Sequence, residues 1–161
     1  MLPFKTIVTG TILLFLALVA GPYFSIQFDY LAGPVPIGHF RFLGIVPILF
    51  GAPLAVWSAF LLLVPGHGKA VPYDPLTDLK VMGPYKYTRN PFMLGWLLVL
   101  WGEVIFFRSL PLLFYGIILT LCIYFWIVAF EEPSLEDRYG EEYKRYKQTI
   151  PRWIPRLRHK S

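Results

Sequence analysis

Charge is in short supply in this chain of 161 residues. Only 16% are Asp, Glu, Lys or Arg, while 56% are hydrophobic and 18% aromatic. An ordinary soluble domain carries about 25% charged residues, so an extensive water-facing surface is excluded. Cysteine is nearly absent. The single one, Cys122, can make no internal disulfide and offers no zinc spacing, and within its long apolar run it reads as a small buried hydrophobe. Histidine is also sparse: His67 has no second His or Cys nearby and reads as a loop residue rather than a metal ligand. Acidic residues are outnumbered ten to fifteen, leaving a net charge of +5. The basic residues flank apolar runs, which fits an anionic membrane surface better than a nucleic acid.

What the chain does have is apolar length. Four runs, about 4–24, 40–64, 91–107 and 110–130, predict an all-α integral membrane protein with four transmembrane helices in one domain, 1–161. The first run, with Lys5 ahead of it, resembles a signal peptide. It lacks a small-x-small cleavage site near Gly21-Pro22, and three spans follow, so it reads as a helix. In the second, Pro47 and Pro53 predict kinks, and Gly44, Gly51, Ala52, Ala55, Ser58 and Ala59 allow close helix approach. Only Arg108-Ser109 separates the last two, which predicts an antiparallel hairpin whose outer ends, Asn90 and Glu131, meet at one membrane face. Thirteen of the fifteen basic residues fall on that side, leaving Arg41 and Arg108 opposite. The positive-inside rule makes the crowded side cytoplasmic, with both termini there. Glu103, inside the third run, needs a partner, for which Arg108 is placed.

Residues 65–90 make a polar loop too long for a passive connector. Gly66-His67-Gly68 lacks the βαβ setting of a dinucleotide fingerprint and reads as a turn. The loop ends in Gly83–Gly95, GPYKYTRNPFMLG. Here Asn90 is placed to cap a helix whose first residue is Pro91, with Arg89 just outside. Free amides beside a guanidinium favour an anion, although Arg89 anchored to lipid headgroups accounts for the same residues. At the other end, Pro133 predicts that the fourth helix stops behind Glu131-Glu132, setting two carboxylates against the helix dipole. Ser134 and Asp137 have capping-box spacing for a new helix. Its apolar face would be Leu135, Tyr139, Tyr143, Tyr146 and Ile150, opposite Glu136, Glu141, Lys144, Arg145 and Lys147. That helix either lies on the membrane or covers the loop, and residues 151–155 end it. An anion-favouring end, a cation-favouring end and aromatic Tyr85, Tyr87, Phe92 and the tail tyrosines suit a ligand with carboxylate, ammonium, sulfonium and a flat base, such as S-adenosylmethionine. A zwitterionic lipid headgroup suits them nearly as well.

The pairing of GPYKYTRNPFMLG with EEPSLEDRYGEEYKRYKQTIPRWIP resembles the isoprenylcysteine carboxyl methyltransferase and phospholipid N-methyltransferase family, over about residues 65–156. Arg89, Pro91 and Gly95 match the Arg-His-Pro-x-Tyr-x-Gly element. Asn90 replaces the His, which removes any proton transfer there, and Met93 replaces the Tyr. The resemblance implies a bacterial-type member, in a bacterial or archaeal inner membrane. It implies S-adenosyl-L-methionine held by Tyr85, Asn90, Pro91, Phe92, Met93 and Gly95, with Leu79 and Lys80 near the nucleoside. Glu131 and Glu132 would meet the cofactor's amino group or balance its sulfonium, and Arg89 with Glu132 would stand at the reaction centre. The acceptor would be a lipid or lipidated small molecule, methylated on a carboxylate or amine. Two rivals share parts of the pattern: an NADPH-dependent reductase of the sterol-reductase type, and a non-catalytic lipid-binding membrane subunit.

Overall fold

The computed structural model describes residues 16–63 and 81–155. The start of the first apolar run, and the loop stretch holding His67, Leu79 and Lys80, lie outside them. All named elements among the described residues are helical: α1 Gly21–Ile26, α2 Asp29–Ala32, α3 Ile45–Leu63, α4 Pro91–Phe107, α5 Leu110–Trp126, α6 Glu132–Tyr139 and α7 Glu141–Thr149, with shorter 3-10 and π turns between them. Two continuous helical stretches, Gly38–Leu61 and Leu110–Tyr139, are long and apolar enough to cross a membrane, and α4 is a shorter apolar helix. Contacts group the chain into two compact units, residues 1–52 with 96–123, and 53–95 with 124–161.

The first unit is organised around the turn between α4 and α5. Arg108 takes a left-handed backbone (φ 60°), and Ser109 then caps α5, its Oγ accepting the Leu112 N–H at 3.1 Å. The same hydroxyl donates to Asp29 Oδ1 at 2.6 Å. Further along, Trp101 Nε1–H donates to Thr120 Oγ1 at 3.2 Å, and Gly116 leaves room for Val104 and Leu100 of α4. A close backbone approach involves Gly44 and Gly102. A Cβ on Gly44 would collide with the Gly102 carbonyl and with the backbone of Phe106, and one on Gly102 would strike Ile48 and the Gly44 carbonyl. This is the service small residues give where helices pack in lipid.

Two expectations fail here. No ion pair joins Glu103 to Arg108 among the described residues, and Glu103 Oε2 and Arg108 Nε are each buried without a hydrogen-bond partner. The left-handed backbone at Arg108, between α4 and α5, commits its carbonyl to the Val35 N–H at 2.9 Å. Cys122 is exposed rather than buried. It shares the outer face of α5 with exposed Ile118, Leu121 and Phe125, a face whose apolar character calls for lipid rather than protein.

The second unit corrects the reading of Pro133. The helix does not stop there: α5 passes through a π turn, Ile127–Glu131, directly into α6. Proline lacks an N–H and crowds the carbonyl four residues back. In the wider π turn hydrogen bonds already reach five residues back, as Glu132 N–H does to Ile127 O, so Pro133 is absorbed. Glu131 and Glu132 therefore lie inside a continuous helix, and the opposition to a helix dipole disappears. Ser134 makes no cap. The tail instead breaks at Gly140 (φ 55°, ψ −127°) into α6 and α7, a non-helical backbone conformation that glycine adopts without strain. Its apolar face survives the break, with Leu135, Tyr143, Tyr146 and Ile150 packed together against Val81 and Tyr139.

Candidate active site

The loop before α4 is held from both sides. A 3-10 turn, Gly83–Lys86, sets Tyr85 inward, and the Tyr146 hydroxyl of α7 donates to the Tyr85 carbonyl at 2.8 Å. The segment after α7 then runs alongside: Arg89 N–H donates to Pro151 O at 2.9 Å, and Thr88 Oγ1 donates to Arg152 O at 2.9 Å. These bonds explain why Thr88, polar and three residues ahead of the helix, is only 2% exposed. Asn90 accepts the Leu94 N–H through its carbonyl at 2.9 Å, and the buried Pro91 begins α4. Asn90 thus occupies the cap position, where the free amides of the first turn collect.

On this frame the charges converge. Arg89 Nη1 meets Glu132 Oε1 at 2.8 Å. Arg152 meets the same carboxylate twice, Nε to Oε1 and Nη2 to Oε2, both at 2.8 Å, while its guanidinium lies over the Tyr124 ring. Burial and then the Glu132 charge push the Tyr143 hydroxyl up to about 12 against the pull of the Arg89 guanidinium. Burial, followed by Tyr146 and then Glu131, holds the Tyr85 hydroxyl well above the usual tyrosine range. Both phenols are therefore protonated at neutral pH, available as donors.

The structure divides the glutamate pair. Glu132 is only 5% exposed, and both its oxygens are engaged by arginines. Glu131 is half-buried near Tyr85 and carries no salt bridge among the described residues. Two donors are left over at the other end. Arg89 Nε and Asn90 Nδ2 are buried with no acceptor, and each such group costs about 1–3 kcal/mol unless something accepts from it. Tyr85, Arg89, Asn90, Pro91, Glu131 and Glu132 all belong to this unit, as does Gly95, buried in α4, with Phe92 and Met93 half-buried in the helix's first turn. Leu79 and Lys80 lie outside the described residues. Sequence reasoning set the tail tyrosines, Tyr143 among them, around the site, but gave no site role to Thr88 and above all none to Arg152. A signal for Arg152 exists: a basic residue between Pro151 and Pro155, directly behind the apolar anchor Ile150, is held too stiffly for a frayed tail.

The phospholipid methyltransferase family model matches residues 39–142 of this chain, more than half its length. The chain belongs to that family. Among similar proteins is a methanethiol S-methyltransferase of Crocosphaera subtropica, 33% identical over 89 residues, which are 55% of this chain and 33% of the relative. Another is methanethiol S-methyltransferase 1 of Bradyrhizobium diazoefficiens, 34% identical over 71 residues, 44% of this chain and 24% of the relative. The match thus spans a third or less of either relative. No solved structure matches the chain. Membership in this family joins the apolar helices in marking a membrane-associated protein, and among the described residues no group of His, Cys, Asp and Glu is arranged to hold a metal.

Proposed function

We propose that this chain binds S-adenosyl-L-methionine and catalyses methyl transfer to a lipid-like or membrane-embedded acceptor at the cytoplasmic face. The observation carrying the proposal is the pair of buried, unused donors, Arg89 Nε and Asn90 Nδ2, at the start of α4. They fit the cofactor's carboxylate, and the amides of the helix N-terminus add to them. Glu131, free of arginine, fits the ammonium or the sulfonium, and Tyr85 beside it supplies an aromatic wall. The cofactor, when bound, supplies an electrophilic methyl group on sulfur.

The chain's own contribution is to hold and orient. Effective molarities of well-placed reactants are worth roughly 7–11 kcal/mol, and the buried cluster of Leu135, Tyr143, Tyr146 and Ile150 keeps water from this side of the site. Asn90 cannot move a proton, so the acceptor must arrive as a nucleophile or give up its proton elsewhere. In this reading α4 and α5 form a hairpin within four transmembrane helices, both termini cytoplasmic. The thirty residues Leu110–Tyr139 reach about 45 Å at 1.5 Å per residue. A hydrocarbon core of about 30 Å leaves Glu131 and Glu132 at the interface.

Carboxylates and amines are the acceptors the family resemblance implies, and the names of the two similar proteins add a small thiol. The test is equilibrium binding to the full chain in detergent. S-adenosylhomocysteine is expected to bind, Arg89→Ala and Glu131→Gln to weaken it about tenfold or more, and NADPH not to compete. No binding of either adenosyl compound removes the proposal, and NADPH binding in their place supports a reductase. Methyl-labelled cofactor offered with a membrane lipid extract, and separately with methanethiol, then identifies the acceptor class.

A further inference from the structure

One carboxylate here stands between two guanidiniums, and they do not share it equally. Arg152 grips Glu132 with a two-pronged contact, Nε to Oε1 and Nη2 to Oε2, the geometry in which a guanidinium and a carboxylate match best. Arg89 reaches only Oε1, through Nη1, and its Nε–H is left buried without an acceptor. Lys147, the next cation along, is committed to Glu136 at 2.8 Å. The three groups Arg89, Arg152 and Glu132 therefore carry a net charge of +1 in a partly buried place. The backbone fixes this arrangement, since Arg152 O and Pro151 O accept from Thr88 Oγ1 and Arg89 N–H.

We infer that Arg152 is a positioning residue: by occupying the fork of Glu132 it prevents Arg89 from closing on that carboxylate, and so keeps the Arg89 Nε–H and one positive charge for the carboxylate of the ligand. This rests on the cofactor reading above and adds to it a residue to which neither the charge pattern nor the family resemblance gave a role. Without Arg152, Arg89 and Glu132 can form the two-pronged pair themselves, the local charge falls to zero, and the ligand's carboxylate loses its partner. Removing Glu132 as well takes away the competitor, and the charge returns to +1.

The experiment compares S-adenosylhomocysteine with its decarboxylated analogue, binding each to the full chain in detergent. The wild-type protein is expected to prefer the compound that keeps its carboxylate. Arg152→Ala should lower affinity for S-adenosylhomocysteine about tenfold or more and barely change that for the analogue, so the preference collapses. Arg152→Lys, which keeps the charge but not the fork, should fall between. The double variant Arg152→Ala/Glu132→Gln should recover the preference. Equal loss for both ligands in Arg152→Ala, or no recovery in the double variant, overturns the inference and assigns Arg152 to packing alone. Should Arg152→Ala fail to fold, Arg152→Lys decides by the same ratio, an unchanged ratio being the contrary result. Failure of the wild-type chain to bind either compound instead defeats the cofactor reading, and this inference with it.

Discussion

Glu132→Gln is expected to lower the unfolding free energy of the detergent-solubilised chain by about 3 kcal/mol, the loss typical when one partner of a buried ion network is removed. The glutamate side chain is 6% exposed and that of Arg89 10%, so water screens little of what is lost. Both guanidiniums would remain, side by side and without a counter-charge. Arg152, at 25% exposed, can turn partly towards solvent, which keeps the figure at the lower end of the usual range. Glu136→Gln is the control. It removes a pair of the same 2.8 Å length, but with both side chains about one-third exposed, and water screens most of what such a pair contributes. Thermal melts of the two variants should separate clearly. Equal and small shifts would mean that the arginines are not held by Glu132.

Gly44→Val should destabilise the first unit by about 2–3 kcal/mol or more, the cost of overpacking where backbone must move. Its new Cβ would overlap the Gly102 carbonyl and sit 2.8 Å from the Phe106 nitrogen. Both obstacles are backbone, so no side chain can swing away. Gly140 provides the contrast. A Cβ there meets nothing within 4 Å, and only its positive φ resists substitution, at roughly 1–2 kcal/mol. Gly44→Val should therefore lower the melting temperature more than Gly140→Ala. The reverse order would show that the Gly44–Gly102 approach is not tight.

The difference between Gly44 and Pro133 shows what the sequence could reveal. Local rules located the start of α4, because Asn90-Pro91 is capping chemistry with a fixed geometry. They located the break at Arg108-Ser109, where α4 ends and α5 begins, because two residues between apolar runs leave few alternatives. Gly44 was legible as a small residue but its partner Gly102 was not, since that pairing depends on how helices pack. Pro133 misled for a related reason. A proline usually ends a helix, but the π turn at Ile127–Glu131 is a property of the folded backbone, and no residue in that stretch announces it.

The candidate site divides the same way. Arg89, Asn90 and Glu131 were proposed from their neighbours in sequence and from a family likeness. That Glu132 is engaged by two arginines, leaving Glu131 without a salt bridge among the described residues, follows from a segment twenty residues further on folding back across the loop. The apolar face of the tail was visible as a periodicity. Its target, Tyr85 and Val81, was not, because a pattern shows that a face is buried and not against what.

The central claim is that Arg89 Nε and Asn90 Nδ2 serve the carboxylate of a ligand whose positive charge Glu131 balances. An experimental structure of the chain with S-adenosylhomocysteine bound tests it most directly. The account predicts the carboxylate within hydrogen-bonding distance of both donors and the ligand's amino group near Glu131, with Glu132 still gripped by Arg152. A carboxylate bound elsewhere, with both donors still lacking an acceptor, would contradict it.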